Sequence, residues 1–372
     1  MFRRLSSSLP KDPEFPADLE KLGYHINEHD QIRSLAHPDQ EFNFFISKNE
    51  RVRETQREAM DTCIRRELNT RFQAASLTTI RLPLNAGLTD PHVPILASSN
   101  LSTAKRIIVY IGESVQDLGV LAYRIIGQES ITAGSVLNFV NEVHSRDGNG
   151  DTAIVIANMG QLLWHRRTRR AMTMASWNGQ PRKTGVSNAV RIDPVKNHIP
   201  GNMNVEEHVK SIFEEVILES AREDVAINLV AIGDGAEDAV KYLDRNWARW
   251  EKNVRAICVG LGFIWRVGED VQDEKFMDFW GKRGRAYLIH NEDVDTPLHG
   301  RQEVGCNCFS SGEPTFTECI MPRAYKNMLA YFQLVNDVPG YFEVESFVPE
   351  GDDGSRFVNW KEGIRAESPR AA

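Results

Sequence analysis

Short apolar segments of strand length alternate with segments of helical periodicity along most of this chain. This alternation is typical of a parallel sheet covered by helices, because a helix returns the chain to the same edge of the sheet after each strand. The strand-like segments are residues 107–111, 153–157, 227–232, 256–260 and 286–289, with a last strand near Cys308 and Phe309. Helical periods occupy 209–217, 236–247 and 321–335. The pattern predicts an α/β fold with a doubly wound, mostly parallel sheet and helices on both faces.

The N-terminal part has a different pattern. Residues 24–26, 42–46 and 79–82 are predicted to be strands of a leading antiparallel section, interrupted by a charged helix near 49–72. We therefore predict a single domain over residues 19–345, with that helix as an insertion. Residues 1–18 are predicted to be a disordered N-terminal tail, and residues 346–372 a poorly ordered C-terminal tail.

Composition excludes several classes of protein. The net charge of −8 argues against broad, non-specific binding of nucleic acid. Five cysteines are too few and too scattered for a secreted disulfide framework, which indicates a reducing compartment. Cys306, Cys308 and Cys319, with His299, have poor spacing for a zinc site, because C-x-C is not the usual ligand spacing. We expect free thiols, no metal and no cofactor.

The turn after residues 227–232 carries the most specific signal. In α/β-hydrolases a nucleophilic serine sits in G-x-S-x-G, where small residues on either side allow a strained turn between a buried strand and a helix. Here Ala231 and Gly235 occupy the two small positions. Gly233 stands at the serine position and offers no side chain. The sequence therefore predicts an α/β-hydrolase-like fold with a degenerate nucleophile turn at Gly233, Asp234 and Gly235.

Two other interpretations of this turn remain open. A register shifted by one residue would make Asp234 the nucleophile, which is known chemistry, but the small-residue spacing then fails because Ile232 and Ala236 would flank it. A tight turn with Asp234 capping the next helix is the simpler interpretation, and it is favoured.

The remaining catalytic groups are also incomplete. Glu292 and Asp293 follow a late strand and are candidates for a remnant acid. No histidine follows the last strand, and Glu113 occupies the loop that should stabilise an oxyanion, where a carboxylate would repel the developing charge. We therefore expect no catalytic residues and a pseudo-hydrolase rather than an enzyme.

A basic segment lies after the strand at 153–157, near Trp164 and Trp177. Its arginines are Arg166, Arg167, Arg169 and Arg170. They are candidates for contact with a nucleic-acid backbone or with a partner. A solvated loop with ion pairs is the favoured interpretation, because runs of charge usually decorate surfaces.

Four separated motifs resemble the argonaute-binding-protein-two domain family. They are residues 44–53 (FFISKNERVR), 92–96 (HVPIL), 285–288 (RAYL) and 309–325 (FSSGEPTFTECIMPRAY). The resemblance covers roughly residues 22–335 and implies an α/β-hydrolase fold whose fungal members lack esterase activity and serve as interaction modules. Members often keep a serine where this chain has Gly233, so the departure favours a non-catalytic role.

The same resemblance implies partners and a place in the cell. The family includes a standalone partner of argonaute in a silencing complex and the C-terminal domain of fungal class II histone deacetylases. This chain has no deacetylase-like cluster of metal-binding residues and so resembles the standalone type. It implies RNA-directed heterochromatin silencing, argonaute-complex subunits, a histone deacetylase or histones as partners, and a nuclear location with the cytoplasm as a second compartment. Homodimerisation stays open, as do two alternatives: an ester or lipid hydrolase with an unconventional site, and an RNA- or DNA-binding module that uses residues 165–170.

Overall fold

The computed structural model describes residues 9–148, 150–262 and 265–346 of the 372-residue chain. Within these residues the strands are β1 (Tyr24–Ile26), β2 (Ile32–Ser34), β3 (Leu77–Leu82), β4 (Val93–Ser98), β5 (Arg106–Ile111), β6 (Thr152–Ile156), β7 (Leu163–His165), β8 (Arg170–Met172), β9 (Ala226–Ile232), β10 (Val254–Leu261), β11 (Gly284–Leu288), β12 (Pro297–Leu298) and β13 (Asn307–Ser310).

The helices of the same residues are α1 (Glu50–Ala74), α2 (Tyr123–Gln128), α3 (Leu137–Arg146), α4 (Met174–Asn178), α5 (Val205–Ser211), α6 (Leu218–Ser220), α7 (Asp234–Arg245), α8 (Trp247–Trp250), α9 (Val267–Asp270), α10 (Glu274–Arg283), α11 (Arg301–Val304) and α12 (Ile320–Asp337). A π-helical segment, Ile212–Ile217, joins α5 to α6, and a 3₁₀ turn, Thr317–Cys319, precedes α12. No helix among the described residues is both long and apolar enough to cross a membrane.

One nine-stranded sheet forms the centre of the molecule. Its strand order is β12-β13-β11-β10-β9-β5-β6-β4-β3. The six strands from β13 to β6 are parallel, whereas β12, β4 and β3 run antiparallel to their neighbours at the two edges. The predicted fold class, an α/β-hydrolase-like, doubly wound and mostly parallel sheet, is confirmed.

Helices cover both faces of this sheet because the strands are apolar on both sides. On one face Phe213, Val240 and Trp280 are buried, so the segment from α5 to α6, α7 and α10 pack there. On the other face Leu68 and Phe332 are buried with their neighbours, so α1, α3 and α12 pack there. The carboxyl ends of β5, β9 and β10 meet at one edge of the sheet, which is where ligand sites form in folds of this kind.

The predicted strand at residues 42–46 is wrong. These residues form a turn and irregular backbone, because the side chain of Asn43 accepts a hydrogen bond from the Phe45 backbone N–H at 2.9 Å and bends the chain. The leading antiparallel section is also divided: β1 and β2 form a separate hairpin, while β3 and β4 belong to the main sheet. The charged helix predicted near 49–72 is α1, which begins after the N-cap Asn49.

Part of the segment predicted as a disordered N-terminal tail is ordered against α1. The carboxylate of Asp12 accepts hydrogen bonds from Arg51 at 2.7 and 2.8 Å and from the Arg182 backbone N–H at 2.8 Å. The side chains of Arg51 and Asp12 are only 4% and 7% exposed, so this ion pair holds Asp12, a residue of the predicted tail, against α1. Residues 1–8 and nearly all of the predicted C-terminal tail, 347–372, lie outside the described residues.

Candidate functional site: a hydrolase nucleophile turn filled by a carboxylate

The turn between β9 and α7 has the strained geometry that the motif predicts. Gly233 has φ 61° and ψ −131°, a conformation that favours glycine, and its backbone N–H donates to the carbonyl of Gly260 at 2.8 Å. α7 begins at the next residue, Asp234. At Gly235 an added Cβ would lie 2.2 Å from the carbonyl oxygen of Gly112, at the end of β5. The small residue is therefore required for the turn to pack against the central strand.

The space in front of Gly233 is occupied by Glu113. A Cβ built on Gly233 would lie 2.8 Å from Cγ and 2.9 Å from Oε1 of Glu113. The other carboxyl oxygen of Glu113, Oε2, is buried and has no hydrogen-bond partner among the residues that the structure describes. A carboxyl group from the loop after β5 thus fills the volume that a nucleophilic side chain would need.

Burial and neighbouring charge keep this carboxyl group from ionising easily. Desolvation is the larger cause, followed by the charges of Glu318 and Asp234, and together they raise the pKa of Glu113 to about 7. The carboxyl groups of Glu113, Glu318 and Asp234 therefore lie close together at the turn. None of the three supplies the positive charge that would stabilise an oxyanion.

Replacing Glu113 with Gln is expected to raise the free energy of unfolding, and this gain over wild type is expected to increase with pH. The folded-state pKa is raised, so the unfolded chain ionises first, and Glu113 lowers the free energy of unfolding as pH increases from about 4.5 to about 7. We expect Glu113→Gln to be more stable than wild type by on the order of 1–3 kcal/mol at pH 8 and nearly equal at pH 4.5. Urea denaturation across this range measures the difference, and a gain that does not depend on pH would contradict the raised pKa.

Asp234 is exposed to solvent and connects the start of α7 to the loop after β5 by hydrogen bonds. Its carboxylate accepts hydrogen bonds from the backbone N–H groups of Ser114 and Gly235, each at 3.0 Å, and from the Ser114 hydroxyl. The N-cap residue of α7 is Gly233, so Asp234 is the first residue of the helix and not its cap. The structure therefore gives Asp234 a positioning role between α7 and the loop after β5.

The loop that carries Glu113 is anchored by Asp117, which sequence reasoning missed. Asp117 is 4% exposed, and its carboxylate accepts from Arg65 at 2.9 Å, from the Tyr123 hydroxyl at 2.5 Å and from Gln161 at 2.6 Å. Arg65 also donates to Glu58 at 2.8 Å. A single aspartate in a loop has no distinctive spacing, and its partners lie far away in the sequence, so no local pattern marks it.

The candidate remnant acids do not join this cluster. Glu292 and Asp293 are exposed after β11 and form no hydrogen bond or ion pair with Gly233, Asp234 or Glu113. The Glu292 backbone N–H donates to His290 instead, at 3.2 Å.

The loop that follows the last parallel strand, β13, carries a buried acid where a hydrolase would carry its histidine. Glu313 accepts hydrogen bonds from the backbone N–H groups of Thr315 and Phe316, at 2.9 and 3.1 Å. His299 is exposed beside β12. Among the described residues, no histidine forms a hydrogen bond or ion pair with Gly233, Asp234 or Glu113.

A cavity of about 350 Å³ lies next to the loop that follows β5. Gln116 and Glu318 line the side nearest the carboxyl cluster. The other walls consist of aromatic, arginine and polar residues, which are Glu41, Phe42, Phe44, Phe45, Arg57, Tyr123, Arg124, Gly127 and Gln128. Glu318 is the member of the carboxyl cluster that lines this cavity, whereas residues 233–235 do not line it.

The basic segment is a hairpin and not an irregular loop. β7 and β8 pair through His165 and Arg170, and the exposed Arg166, Arg167 and Arg169 form the turn between them. Arg170 forms an ion pair with Glu58 at 2.8 Å, so it is not free for a ligand. Trp164 and Trp177 are 3% and 2% exposed, which removes them as stacking platforms for nucleotide bases.

These features define an α/β-hydrolase-like domain that keeps the backbone of the nucleophile turn and carries Gly233 at the position of the nucleophile. The family model of the Arb2 domain matches residues 15–294, which is most of the chain, and the chain belongs to the Arb2 domain family. No curated protein sequence matches it.

Solved structures of esterases resemble the chain distantly. An arylesterase shares 11% identity, covers 75% of this chain and 91% of its own, and has a TM-score of 0.35. An esterase from Pyrococcus furiosus shares 9% identity, with 71% and 93% coverage and a TM-score of 0.33. A hyperthermophilic esterase from the archaeon Pyrobaculum calidifontis shares 10% identity, with 82% and 83% coverage and a TM-score of 0.31.

Proposed function

We propose that this protein is a non-catalytic interaction module built on an α/β-hydrolase-like fold. The observation that carries the proposal is the Glu113 carboxyl group, which occupies the space in front of Gly233 where a nucleophile would stand. A further reason is the charge around the turn. The carboxylates of Asp234 and Glu318 would repel an anionic tetrahedral intermediate, which an esterase must stabilise, and Glu113 adds to this repulsion in the fraction of molecules in which it is ionised.

The nucleophile, the base and the oxyanion site are lost together, and this removes the whole hydrolytic mechanism and not one component of it. A nucleophile without a base, or a base without an oxyanion site, contributes little, because the groups of a catalytic unit act together. The sheet and helices, by contrast, are fully packed, so the fold persists as a rigid support for its loops. Binding by surface loops on such a support is the role that this combination favours.

We further propose that its partners are proteins of RNA-directed heterochromatin silencing. These are argonaute-complex subunits, a histone deacetylase or histones, and the protein would meet them in the nucleus. Membership of the Arb2 domain family supports this part of the proposal, and so does the lack of a nucleophile at Gly233. No individual residue encodes the pathway.

Affinity purification from the native host tests the interaction role. The tagged full-length protein and an untagged control culture are compared by quantitative mass spectrometry. We expect argonaute-complex, deacetylase or histone proteins among those enriched over the control. Enrichment of other proteins only would contradict the silencing role, and enrichment of none would contradict the interaction module itself.

The strongest alternative is a hydrolase that uses Ser114. The Ser114 hydroxyl donates to the Asp234 carboxylate, and within the described ranges this is the one hydroxyl–carboxylate pair at the turn. An aspartate is a weak base for a serine at neutral pH, because its carboxylate has little affinity for the proton. Turnover measurements distinguish the two functions.

A further inference from the structure

Positive charge is concentrated on one part of this acidic protein. Of residues 161–200, eight are Lys or Arg and only Asp193 is acidic, while the whole chain has a formal net charge of −8. Two of the eight are neutralised within the fold, because Arg170 pairs with Glu58 and Arg182 pairs with Glu54. The remainder are exposed.

Two segments that are distant in sequence meet to form this region. The Trp164 backbone N–H donates to the carbonyl of Asn197 at 2.9 Å, and the Asn197 side chain donates back to the Trp164 carbonyl at 2.8 Å. The indole of Trp177 donates to the carbonyl of Val190 at 2.6 Å. Residues 190–197 are therefore held against the β7–β8 hairpin, and the basic residues of both segments share one surface.

We call this surface the basic face and define it by Arg166, Arg167, Arg169, Arg191 and Lys196. Lys196 lies 3.8 Å from Asp193, and the four arginines form no ion pair with any residue of the described ranges. Unpaired, solvated guanidinium groups in such density repel one another, so an anionic partner would relieve this repulsion.

Asp193, the acidic residue within the basic face, is held by hydrogen bonds from neighbouring backbone N–H groups. Hydrogen bonds from the Val195 and Lys196 backbone N–H groups are the main cause that lowers the pKa of Asp193, and the charges of Lys196 and Arg166 add to it. Asp193 therefore stays ionised, but its carboxylate is directed at backbone donors. It does not cancel the charge of the arginines.

Apolar side chains lie among these charges. Val190 is 42% exposed and Val195 is 81% exposed. The two tryptophans of the region are buried, so no indole is available to stack on a nucleotide base. Exposed aliphatic groups beside unpaired arginines match a polypeptide that carries both carboxylates and aliphatic side chains better than they match a phosphate backbone.

We propose that the basic face binds an acidic segment of a partner protein, one in which aliphatic side chains alternate with aspartate and glutamate. The inference rests on the proposed function as an interaction module and names the surface that this module uses. Binding would combine charge attraction at Arg166, Arg167, Arg169 and Arg191 with burial of Val195.

Fluorescence anisotropy with the full-length protein tests this directly. The probe is a short fluorescein-labelled peptide of alternating leucine and glutamate, and the variant is Arg166→Glu/Arg167→Glu/Arg169→Glu. The matched control is Lys252→Glu/Arg255→Glu/Lys275→Glu, which reverses three exposed basic residues in or next to β10 and α10, outside the basic face, that also form no ion pair within the described residues. We expect the triple variant to bind at least about tenfold more weakly than wild type and the control to bind like wild type.

A second pair of variants tests the apolar contribution. Val195→Ser removes the exposed valine, and Leu88→Ser removes a side chain that is 74% exposed elsewhere. We expect peptide binding to weaken about threefold in Val195→Ser and to be unchanged in Leu88→Ser. Far-UV circular dichroism confirms that each variant is folded.

Two outcomes would overturn the proposal. One is peptide binding that is absent in wild type or equal in the two triple variants. The other is that the protein binds a labelled random-sequence RNA more tightly than the peptide. If this RNA binding is lost in the arginine variant and unchanged in Val195→Ser, the face would be assigned to nucleic acid. Either result leaves the affinity purification intact, so failure of the basic face is distinguishable from failure of the interaction role.

Discussion

Gly235→Ala is expected to lower the free energy of unfolding by about 3 kcal/mol. The added methyl group would lie 2.2 Å from the Gly112 carbonyl oxygen and 3.0 Å from Cγ2 of Ile111. Ile111 is the last residue of the central strand β5 and Gly112 follows it, so relief of the contact with the Gly112 carbonyl requires a shift of backbone and not of a flexible side chain. Urea denaturation monitored by tryptophan fluorescence measures the change.

Gly127→Ala is the matched control for this substitution. Gly127 is also helical and buried, in α2, but a Cβ added there would meet nothing within 4 Å. We expect its stability to stay within about 0.5 kcal/mol of wild type, or to rise slightly, because alanine restricts the unfolded chain. A Gly235→Ala protein as stable as the Gly127→Ala protein would show that the turn does not pack against β5 as described.

Asp117→Ala is expected to have a second large effect, about 3 kcal/mol of lost stability. Removing this carboxylate leaves Arg65 buried with only Glu58 as an ionised partner, and it orphans the Tyr123 hydroxyl and the Gln161 amide. A buried charge that loses its partner cannot regain water, so the desolvation cost is no longer offset.

An exposed ion pair provides the control for Asp117. Asp278 pairs with Lys282 one helical turn away on the surface of α10, and both side chains are more than half exposed. Asp278→Ala should change stability by less than about 0.5 kcal/mol. Equal effects of the Asp117 and Asp278 substitutions would contradict the view that Asp117 anchors the loop of Glu113.

Much of the fold could be predicted because buried parallel strands are apolar along their whole length. Residues 107–111 and 256–260 show this clearly, and both lie within observed strands, β5 and β10. Residues 42–46 are also apolar in part but turn instead, since the Asn43 side chain competes for the backbone N–H of Phe45. The spacing of apolar residues alone gives no sign of this side-chain hydrogen bond.

The candidate site could be predicted only where its parts are local in sequence. Ala231, Gly233 and Gly235 mark the turn by their spacing, and the structure shows the strained backbone that this spacing requires. The contact between Gly233 and Glu113 joins residues far apart in the chain, so no spacing rule reveals that one fills the space of the other.

The same limit applies to Asp117, whose partners come from three separate elements. For the basic hairpin, the sequence reveals the run of arginines. Only the packing of residues 190–197 against the hairpin shows that the basic residues of both segments share one surface.

Hydrolysis of p-nitrophenyl acetate and butyrate by the purified full-length protein tests the central claim most directly. Wild type is compared with its heat-denatured sample and with Ser114→Ala and Asp234→Asn, each of which removes the hydroxyl–carboxylate pair at the turn. Because Glu113 fills the nucleophile's space, we predict no turnover above the denatured control in any of these proteins. Multiple turnovers by wild type that are lost in Ser114→Ala or Asp234→Asn would contradict the account, since they would show a working nucleophile at the turn.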